Sequence, residues 1–372
     1  MEKTELDTTK SIWRQTVIDL HAKSKREYPV EGLCRLFGKT KQAYYKYDEE
    51  RMMTRMSQEV FAVDFIKQVR EKDRGIGGMK IWLMYKREFA GKSPLGRDRF
   101  EDVIDKYGLK LRRKTRKPTT TNSSHGLPTY PTLIKDFIPT APNQLWVSDI
   151  TYIPIIHGTG NYRFCYLTII MDGYSEEIKG YRVGNTLETK HSIMALEMAL
   201  KSLEGQNKED LHIIHHSDRG LQYAGSKYTN LLKTNNISIS MTENGDPKEN
   251  PQAERINSTI KNEIFSGRDF HSLRELHDAL TRAVDFYNNE RPHMSIGMMT
   301  PAEASTSTGD RDMKWTSYRE LAIKRIKKVN IAGNNLPLNP CHGSHSGYAL
   351  QSTHDRDNKL ASKLLSGITK EK

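Results

Sequence analysis

Residues 144–154 read QLWVSDITYIP, and this stretch decides the fold. Its β-branched and aromatic residues predict a strand. With a side-chain period of two, Leu145, Val147 and Asp149 share one side of it. A carboxylate inside such a half-buried pattern is expensive unless something cationic pairs with it. Asp149 therefore marks a position where a cation is expected.

The segments downstream supply the rest of a sheet. NYRFCYLTIIMD (161–172) and IKGYRV (178–183) predict a second and third strand. In 187–204, Ile193, Leu196, Leu200 and Leu203 mark the buried face of a helix. LHIIHHSD (211–218) predicts a fourth strand, SKYTNLLKTN (226–235) a helix and ISISMT (237–242) a fifth strand. Helices over 251–265 and 271–290 close the series, with Pro251 where a first-turn proline is tolerated. Three strands, a helix, a strand, a helix, a strand and then helices is the order of a ribonuclease H-like α/β domain, a mixed five-stranded sheet with helices. Asp218 ends the fourth strand and Glu254 stands on the helix after the fifth. If strands one and four are neighbours, Asp149 and Asp218 meet at the sheet edge, where that helix can also arrive.

Three carboxylates packed together repel, and one would keep its proton. Divalent cations remove the difficulty, and hard oxygen ligands suit Mg2+ or Mn2+. Two such ions, about 3.5–4 Å apart, can activate an attacking oxygen and stabilise a leaving oxygen in phosphoryl transfer. Asp149, Asp218 and Glu254 are thus the expected catalytic and metal-binding residues, with two ions per site. Asp172, Asp246 and Glu249 compete for the role, but the position of Asp172 suggests a turn or cap.

Upstream, residues 1–64 predict a helical region. Within VEGLCRLFGKTKQAYYKY (30–47), Val30, Leu33 and Phe37 suit one helix face. Gly38 can make a tight turn, and Thr40 can cap a second helix carrying Lys41 and Tyr44. This is a helix-turn-helix pattern, with an ordinary helical hairpin as the alternative. Residues 65–117 predict further helices and end in a basic run that includes Arg112, Arg113 and Lys114. Residues 118–140 are rich in Pro, Thr and Ser and predict a linker. The sheet domain spans 141–303, and 304–372 is expected to be a basic, polar and partly disordered tail.

The chain carries 58 Lys and Arg against 46 Asp and Glu, a formal net charge of +12. That balance favours a polyanionic partner. Cys34, Cys165 and Cys341 are far apart, which argues against a disulfide framework and fits a reducing compartment. No run approaches the ~18 apolar residues of a membrane span, so a cytoplasmic protein without membrane contact is expected. His212 and His215 fall on opposite sides of a strand, which disfavours a zinc pair.

QLWVSDITYI, HHSDRGLQYA, NPQAERINSTIKNE and FYNNERPHMSIGMMTPAEA, in this order, resemble the catalytic domain of bacterial insertion-sequence transposases. The resemblance is to the downstream-frame product of insertion-sequence family three, relatives of retroviral integrases, over about residues 30–303. It implies an Asp-Asp-Glu transposase in which Asp149, Asp218 and Glu254 bind metal and Lys261 reaches DNA. Asn250 and Ser258 share roughly the face of Lys261. Arg291 and His293 belong to the closing motif, either as packing or as DNA contacts. The loop before Glu254, ENGDPKENPQAE, departs slightly from the family pattern by having Glu249-Asn250. The implied partners are double-stranded DNA, as terminal inverted repeats and as target, further copies of the chain on that DNA, and the upstream-frame product. Rival readings are a ribonuclease H-type nuclease and a DNA-binding regulator derived from an inactivated transposase.

Overall fold

The protein was analysed as a computed structural model that describes residues 2–45, 49–92, 94–111, 128–158, 161–207, 211–243, 249–318 and 320–326. Residues 1–318 form one compact unit and residues 319–372 a second, of which 320–326 are helical. Arg112, Arg113, Lys114 and Asp246 lie outside the described residues, as do Cys341 and the tail beyond 326.

The sheet contains β1 (Leu145–His157), β2 (Asn161–Asp172), β3 (Ile178–Gly184), β4 (Ile214–Ser217) and β5 (Ser238–Met241), in the order β3-β2-β1-β4-β5. β2 runs antiparallel to both neighbours, whereas β1, β4 and β5 are parallel. This is the ribonuclease H-like arrangement that the element order predicts. Along β1 the side chains alternate. Leu145, Val147, Ile153 and Ile155 enter one core, and Trp146 enters the other.

Helix α7 (Thr189–Lys201), the short α8 (Leu221–Ala224) and α9 (Ser226–Thr234) cover the Trp146 side. α7 lies so close to β3 that a Cβ on Gly180 would stand 2.0 Å from the Ala195 carbonyl oxygen. Helix α10 (Pro251–Ser258), the π-helical turn Thr259–Ile264 that continues it, and α11 (Leu273–Asn289) cover the Leu145 side. One continuous helix is expected over 251–265; instead Phe265 N–H bonds the Ile260 carbonyl, five residues back. The wider turn still lets Ile260 and Ile264 join Ala253 and Ile256 in the core.

The N-terminal region folds as α1 (Glu2–Lys23), α2 (Val30–Leu36), α3 (Lys41–Tyr45), α4 (Glu49–Lys72), α5 (Gly78–Glu88) and α6 (Arg97–Lys106). Gly38 makes the turn between α2 and α3 at φ +64°, and Thr40 Oγ1 caps α3 by accepting from Ala43 N–H at 3.2 Å. Val17, Val30, Leu33 and Cys34 form the small core beneath this hairpin. Phe37 borders it, its ring 6.3 Å from that of Trp13. It sits at the end of α2 and is 39% exposed.

Residues 65–111 are not held apart from the sheet domain. α4, α5 and α6 share a core that includes Phe286 of α11. Beside it, buried Arg291 binds Asp73 at 2.9 Å and also pairs with Glu263. Arg74 Nη1 donates to the Gly267 carbonyl at 2.6 Å, and Arg87 reaches Glu303 at 3.3 Å. Gly75 permits the contact, since a Cβ there would lie 2.5 Å from Glu263 Cα. Charged side chains far apart in sequence join the two regions.

Residues 128–140 lie along the sheet domain. Leu133 N–H donates to Ser240 Oγ at 2.9 Å, Lys135 pairs with Glu243 at 2.8 Å, and Ile134 and Phe137 pack on the core. The start of the tail is also anchored. Gly309 N–H reaches the Thr140 carbonyl at 2.7 Å, and Lys314 N–H reaches Met294 at 2.8 Å.

Removing one member of a buried ion pair leaves the other uncompensated, at a cost of about 3–5 kcal/mol. Arg291→Leu is expected to lose about that much against urea. Lys72→Ala, which breaks the exposed Lys72–Glu290 pair, should lose less than about 1 kcal/mol. Equal losses would show that Arg291 does not anchor the helical region.

Candidate active site

The β1–β4 ladder ends at Val147↔His216. Asp149, within β1, and Asp218, just past the end of β4, each stand two residues beyond these partners. Glu254 is in the first turn of α10, which packs against β1. The structure thus gathers the three acids that the sequence singled out.

Two asparagines hold α10 to β1 on either side of Glu254. Asn250 Nδ2 donates to the Ser148 carbonyl at 3.0 Å, and Asn257 Nδ2 donates to Asp149 Oδ2 at 3.0 Å. Asn250 and Asn257 are seven residues apart, so they share a helix face. Asp149 Oδ1 accepts from Ile150 N–H at 2.8 Å, and Asp218 Oδ1 from Gly220 N–H at 3.0 Å.

Burial pushes the Asp149 carboxyl up from its ordinary 3.8 to about 7, and the negative charges of Asp218 and Glu254 add to the rise. The bonds from Ile150 and Asn257 oppose it but do not prevail. The three acids therefore share one electrostatic field. Among the described residues, no three His, Cys, Asp or Glu side chains already enclose a single point. The site nonetheless suits a divalent cation. Its donors are hard oxygens, their charges repel, and the side-chain oxygens of Asn250 and Asn257 are buried without a protein partner.

Asp172 takes no part in this field. It is fully buried and accepts from Asn143 N–H at 2.7 Å, Tyr174 N–H at 3.1 Å, and Ser175 N–H and Oγ at 2.7 and 2.8 Å. Its task is the turn after β2, as its position suggested. Glu249 accepts from Glu243 N–H.

The candidate DNA contacts fare unevenly. Lys261 Nζ sits over the Tyr152 ring, 4.1 Å from its centroid. Asn250 is buried and ties α10 to β1, so it does not present itself to DNA. Ser258 is bonded by Asn262 Nδ2 at 3.3 Å, and Asn257 is the residue that faces Asp149. Lys41 is exposed at the start of α3. Tyr44 is turned inward, with Arg14 over its ring at 5.2 Å, whereas Tyr45 is 64% exposed. Arg291 and His293 resolve as packing. His293 is buried, pairs with Glu176 at 3.3 Å, and is held neutral by burial, its pKa lowered to about 4. His215 and His216 bond Tyr228 at 3.0 Å and Ser240 at 2.9 Å, which gives them structural duties.

Sequence reasoning overlooked Asn257. The signal was available: Asn250, Glu254, Asn257 and Lys261 follow one another at steps of four, three and four, the spacing of one helix face.

Models of the integrase core domain match residues 139–247 and 235–301. The chain is 31% identical over 273 residues to the insertion element IS600 uncharacterized 31 kDa protein of Shigella sonnei, covering 73% of this chain and 96% of that one. It is 31% identical to the putative transposase for insertion sequence element IS986/IS6110 of Mycobacterium tuberculosis, over 64% and 85% of the two chains. The transposase for insertion sequence element IS629 of Shigella sonnei is 28% identical over 78% and 97%. Among solved structures, the HTLV-2 integrase catalytic core domain in complex with magnesium gives a TM-score of 0.34 at 18% identity, over 44% of this chain and 97% of that one.

A carboxyl whose folded pKa is raised holds its proton more tightly folded than unfolded. Its stabilising contribution is present below about pH 4 and is lost as pH rises through about 7. Without metal, Asp149→Asn should therefore melt higher than the unsubstituted protein at pH 8, and the gap should close near pH 4. Scanning calorimetry in chelator checks this, and a variant that melts lower at pH 8 would refute the repulsion.

Proposed function

Because the chain belongs to the integrase-core transposases of bacterial insertion sequences, we propose that it binds the terminal inverted repeats of its element, cuts the ends and joins them to target DNA. It is an Asp-Asp-Glu polynucleotidyl transferase that acts on DNA and uses divalent metal. In this reading Asp149, Asp218 and Glu254 hold two Mg2+ or Mn2+ ions. The observation that carries it is the placement of Asp149 and Asp218 two residues beyond a pair of the β1–β4 ladder, with Glu254 on the helix that Asn250 and Asn257 tie to β1.

The bound ions would polarise the phosphate and the oxygens that attack and leave it. This chain's residues do the placing. Asn257 holds the Asp149 carboxylate by one oxygen, and Asn250 fixes the start of the helix that carries Glu254. Lys261, further along the same layer, offers a point charge to a phosphate. The α2–α3 hairpin, with Lys41 and Tyr45 outward, serves as a DNA reader. The domain roles follow: residues 1–64 bind DNA, 65–117 bind DNA and buttress the core, and 141–303 carry the chemistry. Action as several copies on DNA, together with the upstream-frame product, completes the proposal.

Asp149→Asn, Asp218→Asn and Glu254→Gln should each abolish Mg2+-dependent cleavage and joining of a terminal-repeat oligonucleotide while binding persists. Each change is nearly isosteric and removes one negative charge. Cleavage at the unsubstituted rate by any of them would remove that residue from the site. The same assay separates the rivals, since a regulator would not cut and a ribonuclease would prefer an RNA-containing duplex.

Lys261→Ala should weaken binding to a pre-cleaved element end. It should also reduce the magnitude of the salt-dependence slope by about one, the loss of one phosphate contact. A binding titration across a salt series measures this. An unchanged slope would remove Lys261 from the DNA contacts.

A further inference from the structure

β1 and β2 continue as a two-stranded hairpin well past the end of the β4 ladder. The pairs Tyr152↔Tyr166, Pro154↔Phe164 and Ile156↔Tyr162 place six apolar or aromatic side chains on one face. The other face, with Ile153, Ile155, Cys165 and Leu167, is buried in the core. The first face stays open: Tyr162 is 64% and Phe164 37% exposed, and Pro154 is exposed as well. The rings stand edge to face, Phe164 lying 5.0 Å from Tyr152 and 5.2 Å from Tyr162.

The charges around this face are one-sided. From Ile150 to Leu167 the sequence has no Asp or Glu, and the exposed Arg163, opposite Ile155, belongs to the other face. Lys261 comes from the helical layer on the Asp149 side, yet its ammonium lies over Tyr152 on the other side. The Lys261 side chain thus links the two faces of β1. At about 3.3 Å per residue, the aromatic face begins roughly 10 Å from Asp149 and extends to roughly 23 Å.

We propose that this face is a stacking platform for unpaired bases of a DNA strand that leaves the active site past Lys261. Exposed rings offer π-faces that any base can cover, and the absent carboxylates spare the phosphates repulsion. A duplex keeps its bases turned inward and could not use the rings in this way. The inference rests on the proposed DNA chemistry of the Asp149 site and adds a substrate feature to it, a short single-stranded segment beside the scissile phosphate.

The full-length chain should quench a single-stranded oligonucleotide that carries 2-aminopurine, because stacking on a ring quenches that base. Tyr162→Leu and Phe164→Leu keep apolar bulk at exposed positions and remove the ring. Each should weaken binding about ten-fold, the pair should abolish the quench, and Phe164→Trp should restore it. Circular dichroism and the melting temperature verify that the variants fold. A double variant with unchanged affinity and quench overturns the platform. So does one that dissociates an oligomer in light scattering with DNA binding unaltered, which would give the face to a second copy of the chain. Asp149→Asn serves as the separating control and should keep the quench. Failure of unsubstituted protein to cleave, with a ring-dependent quench intact, would defeat the cleavage reading and leave the platform standing.

Discussion

The pairing of β1 with β4 covers three residues, and each strand then runs into a carboxylate. Parallel neighbours with this register bring Asp149 and Asp218 together whether or not their charges favour it. Burial and repulsion raise the Asp149 carboxyl to about 7, so the corner resists ionisation at the pH where metal ligands must be ionised. The fold supplies the restraint. Trp146 and Val147 lock β1 into cores on its two sides, and Asn250 and Asn257 clamp α10 across the strand. A site that would spread apart if free is thus held ready for a cation, which is the condition for electrostatic preorganisation.

The same layer that holds α10 also receives the N-terminal helices. Glu263 lies in the π-helical turn after α10, Arg291 follows α11, and Asp73 follows α4. Their buried network couples the helical region to the layer that carries Glu254 and Lys261. The energetic argument is asymmetric: intact, such a network contributes little net stability, but broken, it strands a charge. It acts as a register pin that fixes how α4–α6 sit against α11.

The order of strands and helices was legible because each depends on local periodicity. The alternation around Asp149 and the 3.6-residue pattern of 187–204 survive any tertiary arrangement. Asp149 and Asp218 stood out because an acid ending or interrupting an apolar strand is costly and so informative, and Glu254 by its place on the helix after the fifth strand. Asn257 was harder, since an asparagine on a helix carries no such cost until its partner is known. Ser258, one residue away, looked equally suitable, and a single step of 100° around the helix separates them. Tyr44 and Tyr45 pose the same problem: two adjacent rings, of which only packing against the Val17, Val30, Leu33 and Cys34 core decides that Tyr44 faces inward.

By itself, the sequence determined the element order, the strand-end positions of Asp149 and Asp218 and the net positive charge, because these reside in neighbouring residues and in composition. Tertiary structure alone decided that 128–140 lies along the sheet domain as a strap, that Arg291 is a buried anchor, and that the aromatic face of the hairpin lies open beside Lys261. Each of these depends on groups brought together across more than a hundred residues, or on which face remains uncovered once the core has formed. Local periodicity carries no record of either. The strap is the plainest case: proline and threonine weaken helix and strand and so read as a linker, yet Leu133 and Lys135 find Ser240 and Glu243 only after β5 is in place.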